Sequence, residues 1–416
     1  MDLTGTIPSQ LGNLSFLASL NIRHNSFHGS LPSELTNLHR LRYLNFGNNS
    51  FNGKIPSWFG YLGELQSLLL YMNNFIGVIP STFDNLSKLE TLSMFNNNIK
   101  GHLSSGIFDN LSKLQRLDLS ENQISGRIPK TLFNCKELKF LSFHTNFLEG
   151  SIPIEIGNLT QLQILYLNNN NLKGEISPVI GNLASLVKIS LSSNNFSGHL
   201  PSEIFDNLSK LQVLELRQNH ISGRIPSSIF RSKELTYLLL DENSLEGSIP
   251  IEIGNLTMLE TLDLGQNNLS GSIPSSLGDL SELESLDLSS NELHGRIPTE
   301  LSNLGFLEVL NLSHNHLKGP IPQGKQFDTF TNDSYIGNLD LCGLPLSRGC
   351  DNDAETPTKL DRDDDDDEIN WKFSILMGYG CGLVLGLSMG YIVFTTGKPW
   401  WFIRIFEKTR QRFAKR

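Results

Sequence analysis

The sequence lacks the side-chain patterns of a catalytic centre. Its ten histidines are scattered, and it contains no nucleophile with a neighbouring base, no metal-ligand cluster and no HRD or DFG motif of a kinase. Charged residues make up 18% of the chain, below the usual quarter, and the net charge of −10 opposes binding to nucleic acid. These absences predict a protein with no enzymatic activity, no cofactor and no nucleic-acid partner.

One repeated motif dominates the sequence, and LESLDLSSNELHGRIP at residues 283–298 shows it in full. A period of about 20 to 29 residues with this arrangement of Leu and Asn predicts a leucine-rich repeat, here over residues 1–322. The Asn of the motif recurs thirteen times, at intervals of 24 residues with two intervals of 25: Asn25, Asn49, Asn73, Asn97, Asn122, Asn146, Asn170, Asn194, Asn219, Asn243, Asn267, Asn291 and Asn315.

Each copy of the motif predicts a short strand. Leu286 and Leu288 are two residues apart and point to one side of a strand, whereas Asp287 and Ser289 point to the other. No single turn can bury its own leucines, but stacked turns bury those of their neighbours. The repeated Asn follows the strand, and its amide both donates and accepts, so we expect an Asn ladder that pairs with buried backbone groups. The predicted fold is an α/β-type solenoid, a horseshoe or superhelix with parallel β-strands on its concave face.

The outward positions of these strands predict the ligand-binding surface. Neighbouring strands lie about 4.8 Å apart, so the concave face runs on the order of 60 Å. Single exposed apolar residues need no function, but a run of them on a wet face is where a peptide or protein would anchor. In the last three repeats these positions are small or acidic, which indicates docking of a partner receptor. The predicted anchors are Tyr43, Leu69, Tyr71, Met72, Phe95, Phe140, Tyr166, Tyr237 and Leu239.

Sequons of the form N-x-S/T are frequent in the repeats. Some of these sequons arise from the repeat motif itself, because GNLS and DNLS are part of it. Glycosylation is nevertheless expected if the chain enters the secretory pathway. The sequons lie at Asn13, Asn48, Asn85, Asn110, Asn158, Asn195, Asn207, Asn255, Asn268, Asn311 and Asn332.

The composition changes beyond the repeats. Residues 323–350 are predicted to cap the solenoid, and residues 351–372 contain an acidic run that cannot build a core. We interpret that run as a solvated extracellular spacer, because it lacks the ligand spacing and central Gly of a calcium loop.

Residues 373–396 are 24 uncharged, mostly apolar residues. As a helix they would span about 36 Å, enough to cross a hydrocarbon core of about 30 Å. Gly residues recur every four positions there and predict a close helix-pairing seam, although Gly is also common in membrane helices generally. These glycines are Gly378, Gly382, Gly386 and Gly390. The basic tail at residues 397–416 places the C-terminus in the cytoplasm and the repeats outside.

Several of these features resemble a known family. The LxGxIP ending of the motif is similar to the plant-specific class of leucine-rich repeat, and the GN…LCG.PL…C pattern at residues 337–350 looks like the C-terminal cap of plant receptor-like proteins and receptor kinases. That resemblance implies a disulfide between Cys342 and Cys350 in an oxidising compartment, with Cys135 unpaired. Together with the acidic spacer, the glycine seam and the short tail, the chain resembles the plant leucine-rich repeat receptor-like proteins, which carry no kinase.

The resemblance implies a single-pass plasma-membrane receptor. Such a protein would recognise a peptide, protein or glycan ligand on its concave face and signal through adaptor and co-receptor receptor kinases, most often in plant immunity. A developmental peptide receptor, a decoy fragment and a hydrolase inhibitor remain alternatives. The chain departs from the family in opening inside a repeat, with no visible signal peptide, Cys-paired N-terminal cap or non-repeat island; we expect a truncated gene product, with a natural short form as the alternative.

Overall fold

The computed structural model of the protein describes residues 3–350. Within that range each turn of the chain adds one strand to each of two parallel sheets. A single continuous core of Leu, Ile and Phe runs through all the turns, and burying each large apolar side chain contributes about 1.5–3 kcal/mol. The array is held by contacts between successive turns, as expected of a solenoid.

The first sheet has thirteen strands, one for each LxL segment, in sequence order. Its register aligns equivalent positions, so that Leu44 pairs with Leu68 and Leu68 with Leu92. The middle residue of nearly every strand is buried, and the residues on either side of it project to the opposite, outer face. The strands are Ser19–Asn21, Tyr43–Asn45, Ser67–Leu69, Thr91–Ser93, Arg116–Asp118, Phe140–Ser142, Ile164–Tyr166, Lys188–Ser190, Val213–Glu215, Tyr237–Leu239, Thr261–Asp263, Ser285–Asp287 and Val309–Asn311.

A second sheet of fifteen strands was not anticipated from the sequence. It forms directly after each ladder Asn, and most of its strands include the Gly of the motif at a positive φ, such as 83° at Gly150, which only Gly adopts readily. Its strands are Thr4–Gly5, Ser26–Gly29, Ser50–Lys54, Asn74–Gly77, Asn98–His102, Gln123–Gly126, Phe147–Gly150, Asn171–Gly174, Asn195–His199, His220–Gly223, Ser244–Ser248, Asn268–Ser272, Glu292–Gly295, His316–Pro320 and Asp340–Cys342.

The helical segments correct one part of the predicted fold class. All those in residues 3–350 are 3₁₀ helices of three to five residues, because a turn of 24 residues leaves little chain between its strands and adjacent segments pack closely. A Cβ at Gly60, for example, would lie 2.2 Å from the carbonyl oxygen of Thr82. The helices are Ser9–Asn13, Ser33–Asn37, Ser57–Tyr61, Ser81–Asn85, Lys130–Asn134, Ile154–Asn158, Pro178–Asn182, Ser227–Arg231, Ile251–Asn255, Ser275–Asp279, Thr299–Asn303, Lys325–Thr329 and Asn332–Ser334. The two 25-residue intervals carry a plain turn instead, at residues 105–110 and 202–207.

The expected Asn ladder is confirmed. At Asn170, Nδ2 donates to the carbonyl oxygens of Phe143, Leu167 and Asn168 at 2.9, 3.1 and 3.2 Å, and Oδ1 accepts the N–H of Leu148 at 2.9 Å. One side chain thus joins its own turn to the preceding one. The sequence reasoning missed a further rung in the cap, where Asn338 donates to Leu312 and Tyr335 and accepts from Leu317.

The C-terminal segment closes the described part of the chain. Cys342 and Cys350 form a disulfide with an S–S distance of 2.02 Å, and Cys135 is a buried free thiol. Burial raises the pKa of the Cys135 thiol to about 12, so it is protonated at neutral pH and inert.

No helix among residues 3–350 is long and apolar enough to cross a membrane. The predicted membrane segment at 373–396, with Gly378, Gly382, Gly386 and Gly390, lies outside the described residues, as do the spacer at 351–372 and the tail at 397–416.

Candidate ligand-binding face

The outer face of the thirteen-stranded sheet, called the exposed face here, is the candidate functional surface. Because the strands pair in register, equivalent side chains of successive turns lie side by side at the strand spacing. Each row of side chains on this face therefore contains one residue from each successive turn. Neighbours in a row are about 24 positions apart in the sequence.

A first group of apolar side chains, Leu69, Tyr71, Met72 and Phe95, forms the N-terminal aromatic patch. The Tyr71 and Phe95 rings stack in parallel, with centroids 5.0 Å apart. Gly47 makes room for this stack, since a Cβ there would lie 2.4 Å from the Tyr71 ring. Met72 is exposed and holds the left-handed backbone conformation, at φ 51°. The result is a half-buried apolar cluster that solvent reaches mainly at Met72.

Three rings, Phe140, His144 and Tyr166, form the central aromatic patch together with Arg116. The guanidinium carbon of Arg116 lies 3.5 Å from the Phe140 centroid, a cation–π distance. Tyr166 meets Phe140 and His144 edge to face, with centroids 6.1 and 6.5 Å apart. Burial, and then the negative charge of Glu215, raise the pKa of Tyr166, so its hydroxyl stays neutral and can donate a hydrogen bond.

Of the other three predicted anchors, Tyr43 lies on the strand next to that of Leu69, whereas Tyr237 and Leu239 lie three strands beyond Tyr166. The hydroxyl of Tyr43 accepts a hydrogen bond from Asn45 Nδ2 at 3.0 Å, and that of Tyr237 donates to Glu260 at 2.8 Å. Leu239 is half-buried and pairs with Asp263 in the neighbouring strand. The nine predicted anchors therefore form no single stripe. His144 was missed as a member of the central patch, although it occupies an outward position of the repeat.

The exposed face is acidic near its C-terminal end. Arg217 donates to Asp241 through Nε and Nη2 at 3.2 and 3.1 Å and lies 3.6 Å from Asp263. Asp287 accepts from Asn311 Nδ2 at 2.8 Å. Burial, with repulsion from Asp241 and Asp287, raises the pKa of Asp263 to about 6. We call Asp241, Asp263 and Asp287 the acidic row.

The predicted glycan acceptors differ in their accessibility. All the sequon asparagines are exposed except Asn311, which is half-buried and bound to Asp287 through the amide nitrogen that a glycan would occupy. Asn48 lies at the edge of the N-terminal aromatic patch, where its N–H donates to the carbonyl oxygen of Tyr71.

The described residues hold no group of three or more His, Cys, Asp or Glu side chains arranged to bind a metal ion. The contacts observed on the exposed face are ring stacking, cation–π contact and charge-assisted hydrogen bonding.

Comparison with known proteins points to one family. The model described as "Leucine-rich repeat region" matches residues 177–293, and that described as "Leucine Rich Repeat" matches residues 16–38, 40–62, 64–86, 113–135, 161–183 and 306–324. The receptor-like protein 9DC3 of Solanum pimpinellifolium is 48% identical over 94 residues, 21% of this chain and 11% of that protein. Receptor-like protein Cf-9 of the same species is 47% identical over 88 residues, 20% and 10% of the two chains. The matched stretch thus spans about a tenth of the length of these relatives.

Solved structures agree with this assignment at the level of the fold. The crystal structure of a TDR receptor has a TM-score of 0.77 and 33% identity, covering 82% of this chain and 58% of that one. The PEPR1–AtPEP1 structure has a TM-score of 0.72 and 33% identity, covering 83% and 52%. The Arabidopsis HAESA ectodomain, in complex with an IDA peptide hormone, has a TM-score of 0.67 and 34% identity, covering 84% and 66%. The chain is therefore a leucine-rich repeat protein that is similar to the plant receptor-like proteins over about a fifth of its length.

Proposed function

We propose that this protein is a cell-surface receptor without a kinase, which binds an extracellular peptide or protein on the exposed face. The observation that carries the proposal is the pair of aromatic patches on a face that is otherwise mostly small and polar. Aromatic side chains held rigidly on a sheet are the usual anchors of protein interfaces. A glycan could stack on the same rings, but the acidic row favours a ligand with positive charge.

The structural neighbours support a peptide ligand. HAESA was solved with a peptide hormone and PEPR1 with AtPEP1, and both share the repeat architecture of this chain. Plant immunity is the setting we propose, and peptide signalling in development is the alternative.

We propose that signalling runs through associated receptor kinases, as the similarity to plant receptor-like proteins implies. We propose that residues 373–396 cross the plasma membrane, with the repeats outside and the tail at 397–416 in the cytoplasm. The seam formed by Gly378, Gly382, Gly386 and Gly390 would hold an adaptor receptor kinase through close helix packing. The last repeats would dock a co-receptor kinase once the ligand is bound.

Ligand binding is tested by Tyr71→Ala in the full chain expressed on plant cells. The assay is dose-dependent association with a receptor kinase upon addition of fractionated extracellular peptides. A central anchor contributes ~2 kcal/mol or more, so the half-maximal dose should rise at least ~30-fold. Tyr61→Ala is the matched control, because Tyr61 is 62% exposed but lies on the 3₁₀ helix Ser57–Tyr61. Equal responses of the two variants would contradict a ligand site on the exposed face.

The membrane seam is tested separately. Replacement of Gly378, Gly382, Gly386 and Gly390 by Leu should abolish co-precipitation with the partner kinase, because Leu keeps the helices apart. Replacement of the same residues by Ala is the control, since small residues still permit close approach. Association that survives the Leu substitutions would rule the seam out.

A further inference from the structure

The position directly after the motif Gly forms a basic row on the outer side of the second sheet. This position occurs fourteen times, from Thr6 to Pro320, in a chain whose net charge is −10. One of the fourteen residues is acidic, Glu175, and six carry a basic side chain: Lys54, His102, Arg127, His199, Arg224 and Arg296. The second sheet therefore differs in charge from the exposed face, which carries the acidic row.

Three side chains on this sheet form a group of hydrogen-bond donors, called the first donor cluster. His102 and Ser125 pair directly between neighbouring strands, and Nδ1 of the His102 ring lies 3.5 Å from Oγ of Ser125. Arg127 comes two positions after Ser125 and is exposed. Its stem lies across Gly150 of the next turn, where a Cβ would be only 3.2 Å from the arginine Cγ. Glycine at residue 150 thus gives the arginine side chain the room to lie there.

The same group recurs four strands later as the second donor cluster. His199 and Ser222 pair between strands, with Nδ1 of the ring 3.0 Å from Oγ of the serine. Arg224 lies across Gly247, where a Cβ would be 3.1 Å from the arginine Cγ. Each of these residues lies 97 positions after its counterpart in the first cluster. At a strand spacing of about 4.8 Å, the two clusters are about 19 Å apart.

Within residues 3–350, the guanidinium groups of both clusters are unpaired. Arg127 and Arg224 form no hydrogen bond and no ion pair with another described residue. Glu149 and Glu246 lie on the strands that follow, yet neither of them pairs with these arginines. Arg217 on the exposed face is, by contrast, held by two carboxylates. A guanidinium that is positioned but unpaired is ready to bind a carboxylate through two parallel hydrogen bonds.

An exposed aromatic ring adjoins the first donor cluster. Phe147 pairs with Ser125 from the strand beyond it and is 55% exposed. In the second cluster the corresponding neighbour is Ser244, which pairs with Ser222. A ring beside a group of donors suits a ligand that has an apolar face and charged oxygen atoms. A sugar acid has both, since its ring presents C–H groups on one face and carries a carboxylate at its edge.

We propose that the second sheet binds an acidic polysaccharide, a polyuronate, across the two donor clusters. The arginine of each cluster binds a carboxylate, and the serine and histidine bind sugar hydroxyl groups. Because a polyuronate carries a carboxylate on every unit, one polymer chain can reach both clusters, and binding at the first raises the effective concentration at the second. This inference goes beyond the proposed function, because it concerns the other sheet and leaves the exposed face free for a peptide.

The probe is a fluorescent oligomer of polygalacturonic acid that is long enough to reach both clusters. It is titrated into the purified full chain at physiological ionic strength and followed by anisotropy. The chain is first treated with an endoglycosidase, because the sequon at Asn195 lies on the strand that carries His199. Monomeric galacturonate should compete at least ~100-fold more weakly than the unlabelled oligomer, since it cannot link the two clusters.

Replacing either cluster arginine tests the clusters themselves. Arg127→Gln and Arg224→Gln should each weaken oligomer binding at least ~tenfold, because either change removes the benefit of two linked sites. Lys113→Gln and Lys210→Gln are the matched controls. These lysines are exposed, lie outside the strands of the second sheet and are also 97 positions apart. The controls remove the same charge and should leave binding nearly unchanged.

Exchanging the neighbours of the two clusters tests the role of the ring. Phe147→Ser should weaken binding ~threefold, and Ser244→Phe should strengthen it by a similar factor, because each variant gives one cluster the neighbour of the other. Thermal unfolding of every variant establishes that it is folded. Unchanged binding in both exchanges would remove the ring from the site and overturn the sugar acid as its ligand.

The remaining outcomes decide between this site and its alternatives. Unchanged binding by Arg127→Gln and Arg224→Gln, or an equal loss with the lysine controls, would overturn the clusters in favour of diffuse attraction. Polyaspartate that binds as tightly, with the same sensitivity to the arginine variants, would overturn the assignment to a polysaccharide. Monomeric galacturonate that competes as well as the oligomer would overturn the spanning of both clusters. The Tyr71→Ala test of the proposed function concerns the other sheet, so failure of either test leaves the other intact.

Discussion

Replacing Asn170 by alanine removes one rung of the Asn ladder in the middle of the solenoid. In the alanine variant, each of the three carbonyl oxygens that accepted from Asn170 keeps another hydrogen-bond donor. That of Phe143 accepts from Asn146 Nδ2, that of Leu167 from Asn194 Nδ2, and that of Asn168 from the N–H of Thr145. The N–H of Leu148 loses the one acceptor that it has among residues 3–350 and is left unpaired in the core. An orphaned buried donor costs about 1–3 kcal/mol, and the weakened carbonyl bonds add to it, so we expect a total loss of ~2–4 kcal/mol.

The Asn170→Asp variant separates the two halves of the amide. A carboxylate still accepts the N–H of Leu148, but it turns an oxygen toward the three carbonyl oxygens where Nδ2 had donated. A buried charge facing three acceptors is worse than an empty space, so Asp should be more destabilising than Ala at neutral pH. Protonation supplies a donor again, so the stability of the Asp variant should recover as the pH falls, and that of the Ala variant should not.

The assay combines urea unfolding, which gives the free energy, with hydrogen exchange, which locates the effect. The Leu148 amide should lose its protection in the Ala variant and keep it in the Asp variant at low pH. Asn168→Ala is the matched control, because its half-exposed side chain forms no hydrogen bond in the described structure. Equal unfolding free energies for Asn170→Ala and Asn168→Ala, or an unchanged Leu148 exchange rate, would refute the account of the ladder given above.

Further outcomes follow from the exposed face and the core. Asp263→Asn should raise the unfolding free energy at pH 7 by ~1–2 kcal/mol: a pKa raised from 3.8 to about 6 corresponds to ~3 kcal/mol, which residual solvent contact reduces. The raised pKa of Asp263 makes the wild-type native state most stable below pH ~4 and less stable as the pH rises through about 6. The difference in unfolding free energy between Asp263→Asn and wild type should therefore vanish in acid. An Asn variant that is less stable than wild type at pH 7 would contradict this. Peptide mapping of the full chain from plant cells should find Asn207 glycosylated and Asn311 bare, because the amide of Asn311 is held by Asp287, whereas the exposed side chain of Asn207 forms no hydrogen bond in the described structure; full occupancy at Asn311 would count against that contact. Cys135 should resist alkylation at pH 8 until urea unfolds the chain, since the thiol is buried and its pKa lies at about 12; rapid labelling of the native protein would be inconsistent with its place in the core.

The sequence predicted the parts of the fold that a single turn dictates. The inward leucines and the Asn ladder follow from the strand period of two and from the need to pair buried backbone groups, and both hold at Leu286 and Asn170. The second sheet was missed because its strands depend on contacts between turns: the N–H of Leu148 is satisfied by a side chain 22 residues away, and Gly150 enters a strand at a φ that strand patterns do not suggest. The 3₁₀ geometry likewise depends on how closely neighbouring turns approach, which the spacing of apolar residues does not reveal.

The exposed face shows the same division between what one turn decides and what two turns decide together. The period of two assigns Tyr71, Phe140 and Asp263 to the outer side, but it does not show that Tyr71 lies over Gly47. A glycine at an outward position looks like an ordinary small residue in the sequence, yet at residue 47 it creates the space that the Tyr71 ring fills. Since the core requires Leu at nearly every inward position, selection for a ligand can act mainly on the outward positions. The contacts of an outward residue are made with the residue beside it in the neighbouring turn. Binding specificity in this solenoid therefore depends on pairs of neighbouring turns. A ligand that spans several turns contacts a series of such pairs, and the order of the pairs decides whether it binds.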